Sequence, residues 1–446
     1  MPQVNSLKST LRIVIVYLNH RLSILERGIL ERGILGLSLI LFTGCNSIPS
    51  STPILPSQSN NSGVHNPPSI VPDSSPNPKP SDCVTDYNPS FNYFSDPITL
   101  THAKGFNVKY YSHYKLVTVS NPWQNADRTF EYLLVQCGTP VPKDYPNAQI
   151  IQIPIQRSIV LSTTHLPYFD RLNQLNGIVG VRQVDDISNS IVREKIDRGE
   201  IQSVGNANSL DLELIVKLQP DLVSTFGIAN VETSSIRQLQ DLGIPTAVIA
   251  EYLEASPLAQ AEWLKFIAVF FNQEKESERI FHTIVEDYEK MRKLTQTISD
   301  RPSVLTGFNL EGTWYVAGGK SFIAQFIEDA GGNYLWSDNQ SNGNLSLDFE
   351  AVLDKGANAS VWLNVNQKWQ TLNDALIEDD RYLNFTAFQQ QHIFNNDARL
   401  NPSGGNDYWE SGVINPQIVL ADLIKILHPQ LLPDHQLVYY RKLSKN

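Results

Sequence analysis

The side chains through which this chain could do chemistry are three cysteines, a set of aromatic residues with one arginine in polar loops, and a histidine in Ser162-Thr163-Thr164-His165. The cysteines stand at 45, 83 and 137, without a CxxC pair or a Cys/His spacing suited to zinc. Cys45 closes the apolar run GILGLSLILFTG, which follows Arg27 and Arg32. That is the layout of an export signal, and it falls short of the about 20 apolar residues a membrane span needs. In an exported chain Cys83 and Cys137 are the simplest disulfide pair, with two unpaired buried thiols as the alternative. No GxxxxGK[ST] phosphate loop occurs, and no GxSxG nucleophile elbow; the nearest phrase, Pro402-Ser403-Gly404-Gly405, follows no strand.

The aromatic residues take their meaning from the elements that must carry them. From Arg157 onward short apolar strands (158–162, 178–184, 221–225, 246–250) alternate with helical stretches, and the pattern resumes at 303–307, 313–316, 360–363 and 392–394. Such alternation predicts an α/β chain with mostly parallel sheets, whose ligands bind beyond the carboxyl ends of the strands. The candidates there are Thr164, His165, Phe226 and Tyr252 in the first half, and Phe308, Trp314, Trp369, Arg399, Tyr408 and Trp409 in the second. Aromatic faces with an arginine suit a flat, partly anionic metal chelate. The competing readings are core packing for each aromatic, a local hydrogen bond at a helix start for His165, and a solvated guanidinium for Arg399. No His and carboxylate cluster has metal-ligand spacing, so a bare metal ion is disfavoured.

Between the two α/β halves lies EKESERIFHTIVEDYEKMRKLTQTI, residues 274–298, free of Gly and Pro. Its apolar residues Phe281, Ile284, Val285, Tyr288, Met291, Leu294 and Ile298 fall on one helical stripe. A helix of that length spans roughly 35–40 Å, enough to act as a rigid strut between two lobes.

The 446 residues are 41% hydrophobic and 18% charged, which is globular composition. They divide into a signal (1–44), a Ser/Pro/Asn-rich tether (45–81), a β-rich extension (82–155), a first α/β lobe (156–272), the strut (273–299) and a second α/β lobe (300–446). The tether reads as a flexible coil with a reach of roughly 30 Å. Net charge is −11, and because the first 44 residues carry +3 the rest carries −14. So acidic a body, without clustered Lys and Arg, argues against a nucleic-acid partner.

The chain carries two resemblances. Leu41-Phe42-Thr43-Gly44-Cys45 resembles a bacterial lipobox, which implies cleavage before Cys45 and its acylation; an uncleaved anchor, or an ordinary signal with an incidental cysteine, are the alternatives. Ser209-Leu210-Asp211-Leu212-Glu213 echoes Ser346-Leu347-Asp348-Phe349-Glu350, each opening a helix that leads to a strand. A Ser cap with Asp in the first turn would account for the echo by local helix chemistry alone. Together with VGNANSLDLELIVKLQPDLVSTFG, LGIPTAVI and GGKSFIAQFIEDAGGNYLW, it makes roughly residues 155–443 resemble the substrate-binding proteins of bacterial ABC importers for ferric siderophores, haem and cobalamin. The resemblance implies two Rossmann-like lobes joined by one long helix, a ligand in the cleft and little closure. It also implies Glu213 and Glu350 docking on an ABC permease that works with a separate ATPase. The expected protein is a periplasmic monomer, held to the membrane only by its lipid, with no catalysis and no cofactor. Readings of another class are an exported α/β hydrolase and an adhesion or assembly lipoprotein.

Overall fold

The computed structural model describes residues 83–445 except 125, 127, 207–208 and 228–230, and of 231–234 only the backbone. The predicted signal, the tether and Cys45 lie outside the described residues. Strands β1 (Phe106–Tyr110), β2 (Tyr114–Val119), β3 (Phe130–Gln136) and β4 (Gln149–Ile153) form one sheet in that order, antiparallel except for the β3–β4 pair. Alternation sends Val117, Val119, Tyr132, Leu134, Ile151 and Ile153 into the main core, while Leu116, Leu133 and Val135 form a small cluster on the opposite face. Cys83 and Cys137 are disulfide-bonded, closing this segment.

Hydrogen bonds tie the β-rich segment to the α/β chain on its C-terminal side. Tyr132 Oη accepts from Val248 N (2.8 Å) and Gln149 Oε1 from Thr246 N (2.9 Å). Residues 99–105 lie as a strap whose backbone N–H groups are taken up by carboxylates. Glu262 accepts from Thr101, His102 and Ala103, Glu254 from Lys104 and Gly105, and Glu278 from Thr99. Glu262 is fully buried and is offset by Lys265 at 3.0 Å, as a carboxylate removed from water requires.

Beyond the extension, β5 (Ser158–Val160), β6 (Ile178–Val181), β7 (Gln202–Ser203), β8 (Leu222–Thr225) and β9 (Thr246–Val248) make a parallel sheet in the order β7-β6-β5-β8-β9. The second half runs through β10 (Ser303–Thr306), the hairpin β11 (Phe308–Leu310) and β12 (Thr313–Ala317), β13 (Asn333–Tyr334), β14 (Asn344–Leu347), β15 (Val361–Leu363), β16 (Ile393–Asn395) and β17 (Arg441–Lys442). Its main sheet has the order β13-β10-β15-β16-β17, parallel but for β17, and β14 adds to the hairpin in a side sheet.

The predicted strut is shorter than its apolar stripe suggests. The helix is Glu274–Lys293, 20 residues, or about 30 Å at the standard rise. Beyond Lys293 the chain continues as turns, with Thr295 buried and its hydroxyl directed at Asp329 O (2.6 Å) and Arg292 O (2.9 Å). Its buried face of Ile280, Phe281, Ile284 and Tyr288 packs against helices Pro257–Ala268 and Pro416–Leu427. Helix Pro257–Ala268 is buried along all twelve residues and also meets Leu166–Arg171 and Phe322–Asp329. The two parallel sheets are thus linked through a packed helical layer, of which the 20-residue helix is the longest member.

Candidate functional site

In the first parallel sheet the chain winds away from β5 in both directions, so the carboxyl ends of β5 and β8 flank the crevice where such sheets receive ligands. Thr164, half-buried after β5, donates its hydroxyl to Glu251 Oε1 at 2.6 Å. His165 is 0% exposed, with Nδ1 3.3 Å from Ser224 Oγ. Its Nε2 faces Glu251 Oε2 at 3.9 Å, and neither atom has a hydrogen-bond partner. Burial holds the imidazole down to about 3 and pushes the Glu251 carboxyl up to about 7. His165 therefore lies under the crevice floor as a neutral base, so the expectation that it reaches a ligand does not hold.

Above that floor stand Phe226 and Tyr252, both half-buried. The Tyr252 hydroxyl donates to Gly227 O. Gly227 is needed there because a Cβ would lie 2.4 Å from the Trp123 ring. The Arg182 guanidinium sits 5.7 Å from the Phe226 ring centroid, with Nε donating to Asn206 O at 3.1 Å. Arg182 is absent from the sequence candidates because the apolar pattern carries β6 on to 184. The strand ends at Val181, which makes Arg182 the first residue past its carboxyl end.

In the second half Gly307 adopts φ +80°, and a Cβ there would lie 1.8 Å from Tyr315 O. Only glycine lets the chain leave β10 and turn into the hairpin that presents half-buried Phe308. Trp314 and Trp369 prove to be core residues, 0% and 1% exposed. Their indoles donate to Thr306 O and Glu378 Oε2 and pack with Trp362 and Tyr382. Trp314 lies within β12 of the antiparallel side sheet and Trp369 six residues past β15, so neither is a strand-end residue of the parallel sheet. Tyr408 is buried against Trp409, Tyr439 and Tyr440, while Trp409 stays half-buried. Arg399 is exposed, its Nε 2.6 Å from Asp407 Oδ2.

Among the described residues, loops from the two halves meet in more than one place. Asn401 Nδ2 donates to Asp185 O (2.8 Å) and Ile187 O (2.9 Å), and Glu410 accepts from Ser188 N (2.7 Å) and Asn189 N (2.8 Å). Desolvation pushes the Glu410 carboxyl up to about 7. Elsewhere Asn342 Nδ2 donates to Leu253 O (3.2 Å) and Gly343 lies against Gln124. Asn401 and Glu410 carry no local sequence signal, because their partners are more than 200 positions away. Of the residues named above, Thr164, Arg182, Phe226 and Tyr252 on one half and Phe308, Arg399 and Trp409 on the other are left at least partly open to solvent. Among the described residues no three His, Cys, Asp or Glu side chains converge as a metal site.

The echoed phrase opens a helix in both halves, with one correction. Asp211 and Asp348, not the serines, cap helices Leu212–Leu218 and Phe349–Gly356, accepting from Leu214 N and Ala351 N. Glu213 and Glu350 follow in the first turn, both exposed, and Glu350 also meets Arg381 Nη1 at 3.3 Å.

A family model described as "Periplasmic binding protein" matches residues 160–400. An uncharacterized lipoprotein of Methanocaldococcus jannaschii is 25% identical over 369 residues, covering 77% of this chain and 85% of the relative. A periplasmic binding protein from Veillonella parvula shares the fold with TM-score 0.50 and 10% identity, over 70% of this chain and 98% of its own. A periplasmic heme binding protein of Vibrio cholerae superposes with TM-score 0.47 and 16% identity, over 59% and 98%.

Proposed function

Because the chain belongs to the periplasmic binding protein family, we propose that it is the receptor of an ABC importer for a ferric siderophore or a kindred metal chelate. Haem and cobalamin are the alternatives within the same reading. The ligand would lie in the crevice between two lobes, beyond the carboxyl ends of the parallel strands. An acyl chain on Cys45 would hold the protein at the outer face of a membrane, and binding would involve no catalysis.

The observation that carries this reading is the duplicated Asp-capped helix. Each half offers one exposed glutamate, Glu213 or Glu350, at the same position of the same first turn. A permease with matching cationic pockets can grip such a pair only when both halves are presented together, which couples docking to the whole receptor. For the ligand, the supporting feature is the half-buried Phe226 ring with the Arg182 guanidinium 5.7 Å from its centroid, together with the half-buried Phe308 ring of the other half. Such rings can cover the faces of a flat anionic complex, and a guanidinium can meet its charge.

The test is a titration of the full chain with ferric hydroxamates, ferric catecholates, haem and cobalamin, read by tryptophan quenching and thermal shift. Saturable quenching with one class identifies the cargo, and no response to any of them sinks the receptor reading. The docking part has its own check: Glu213→Ala with Glu350→Ala should abolish uptake while leaving ligand affinity intact. An equal fall in affinity would remove the docking role.

A further inference from the structure

At the end of the β-rich segment remote from the crevice, aromatic rings form an unbroken chain. Phe91 meets Tyr93 at 4.8 Å between centroids, Tyr93 meets Tyr87 at 6.2 Å, and Tyr87 meets His113 at 5.2 Å. His113 then meets Tyr114 at 5.1 Å, which stacks on Tyr111 at 4.4 Å and touches Tyr145 at 5.7 Å. None of these rings is fully buried, and Phe91 and Tyr111 remain 39% and 37% exposed. A run of neighbouring rings left open is not how single surface aromatics are scattered.

Its place in the fold is informative. Gln136 N donates to His113 O at 3.0 Å, and the next residue, Cys137, is bonded to Cys83, the first described residue. The N-terminal segment that carries Cys45 therefore enters the fold beside the ring chain, pinned there by the disulfide. From Tyr114 strand β2 leads away for roughly 17 Å. Past its far end Trp123 and Gln124 touch Gly227 and Gly343 at the crevice loops.

We propose that this ring chain is a membrane-contact surface, resting in the headgroup layer of the bilayer that holds the acylated Cys45, with the crevice turned away from the lipid. The proposal rests on the acylated-anchor reading given above. Tyrosine suits the task, since its ring enters the apolar boundary while its hydroxyl stays with headgroups and water. The seven rings carry no fixed charge and the body is acidic. Attraction is then interfacial rather than electrostatic, and zwitterionic lipid serves as well as anionic. A short flexible tether gives an effective concentration of about millimolar, so a weak contact suffices and can be broken when the receptor turns to its permease. The resting pose faces the crevice outward for capture.

The experiment uses the full, anchored chain in phosphatidylcholine vesicles. Spin labels are placed at Ser90→Cys, beside Phe91, and at Ser403→Cys, in the exposed loop of the crevice side, and accessibility to oxygen is compared with that to a nickel chelate. The expected result is a severalfold shift toward oxygen at position 90 alone, lost in the Phe91→Ser, Tyr111→Ser double variant at unchanged melting temperature. An aqueous signal at 90 equal to that at 403 overturns the proposal. So does a shift that appears only on adding polysaccharide, or dipolar broadening that reports a second copy of the chain. The mass of the N-terminal peptide reads acylation separately. Unmodified Cys45 removes the anchor reading and this proposal with it, whereas acylated Cys45 with an aqueous label removes the contact surface only.

Discussion

Replacing Glu410 by Gln should remove a defined part of the pH dependence of stability. Glu410 is 3% exposed and takes two backbone N–H bonds, from Ser188 and Asn189, across the junction of the two halves. Loss of solvent outweighs those bonds, and the charges of Asp407 and Asp170 add to it, so the carboxyl rises from 4.5 to about 7. A carboxyl raised in this way lends the fold stability that is fully present below 4.5 and is lost as pH rises through about 7, because the unfolded chain ionises first. At about 1.36 kcal/mol per pH unit, the gap amounts to about 3 kcal/mol. Glu251 acts in the same sense, and His165, held down to about 3, acts in the opposite sense as pH falls below 6.5. Burial raises the Glu254 and Asp329 carboxyls as well, so the wild-type curve mixes several groups, and only the difference between wild type and variant isolates Glu410. Gln keeps the shape of the carboxyl, but its amide nitrogen cannot accept one of the two backbone N–H groups, so the variant should be about 1–3 kcal/mol less stable in acid, and the test is how that gap changes with pH. By about pH 8 the variant should have gained about 3 kcal/mol on the wild type, read from urea unfolding followed by tryptophan fluorescence. Parallel curves would refute the argument that desolvation governs this junction.

Other consequences can be measured directly. Cys137→Ser should cost about 2–4 kcal/mol in urea unfolding, because it frees the end of a 54-residue separation that the disulfide closes. Lys115→Met should cost about 3–5 kcal/mol: Lys115 is 0% exposed, holds Val269 O and Asn272 Oδ1, and leaves the Glu274 carboxylate without its cation when removed. Arg182→Ala should weaken an anionic chelate by about tenfold or more, the worth of one charge-assisted bond, beyond the modest fall in stability from losing its bond to Asn206 O. Trp369→Phe should do the reverse, lowering stability through the lost bond to Glu378 while leaving ligand affinity as it was.

Much of the architecture is legible because it is written locally. Strand–helix alternation announces the parallel sheets, and the echoed Ser-Leu-Asp phrase locates corresponding helix starts in both halves, with only the capping residue misassigned. The candidate site is legible to a lesser degree. The carboxyl-end rule singles out loops, yet it cannot say which way a ring faces, so Trp314 and Trp369 group with Phe226 and Phe308 in sequence although they pack inward. Arg182 escapes through a strand boundary three residues too long. The complete burial of helix Pro257–Ala268 is not legible in its own residues, because the partners of its Glu262 and Lys265 side chains lie in a distant segment of the chain.

The sequence by itself determined what depends on neighbours along the chain: helix and strand periods, the Asp caps with their following glutamates, the acidic body and the apolar run before Cys45. Tertiary structure alone decided what depends on partners far away in sequence. It buried His165 beneath the crevice and set Glu410 on the backbone of the other half. It also bound residues 99–105 to Glu254, Glu262 and Glu278, and gathered seven rings beside the Cys83–Cys137 bond. The reason is physical: a side chain's hydration and charge state depend on its surroundings in three dimensions, and periodicity reports only which side of its own element it occupies.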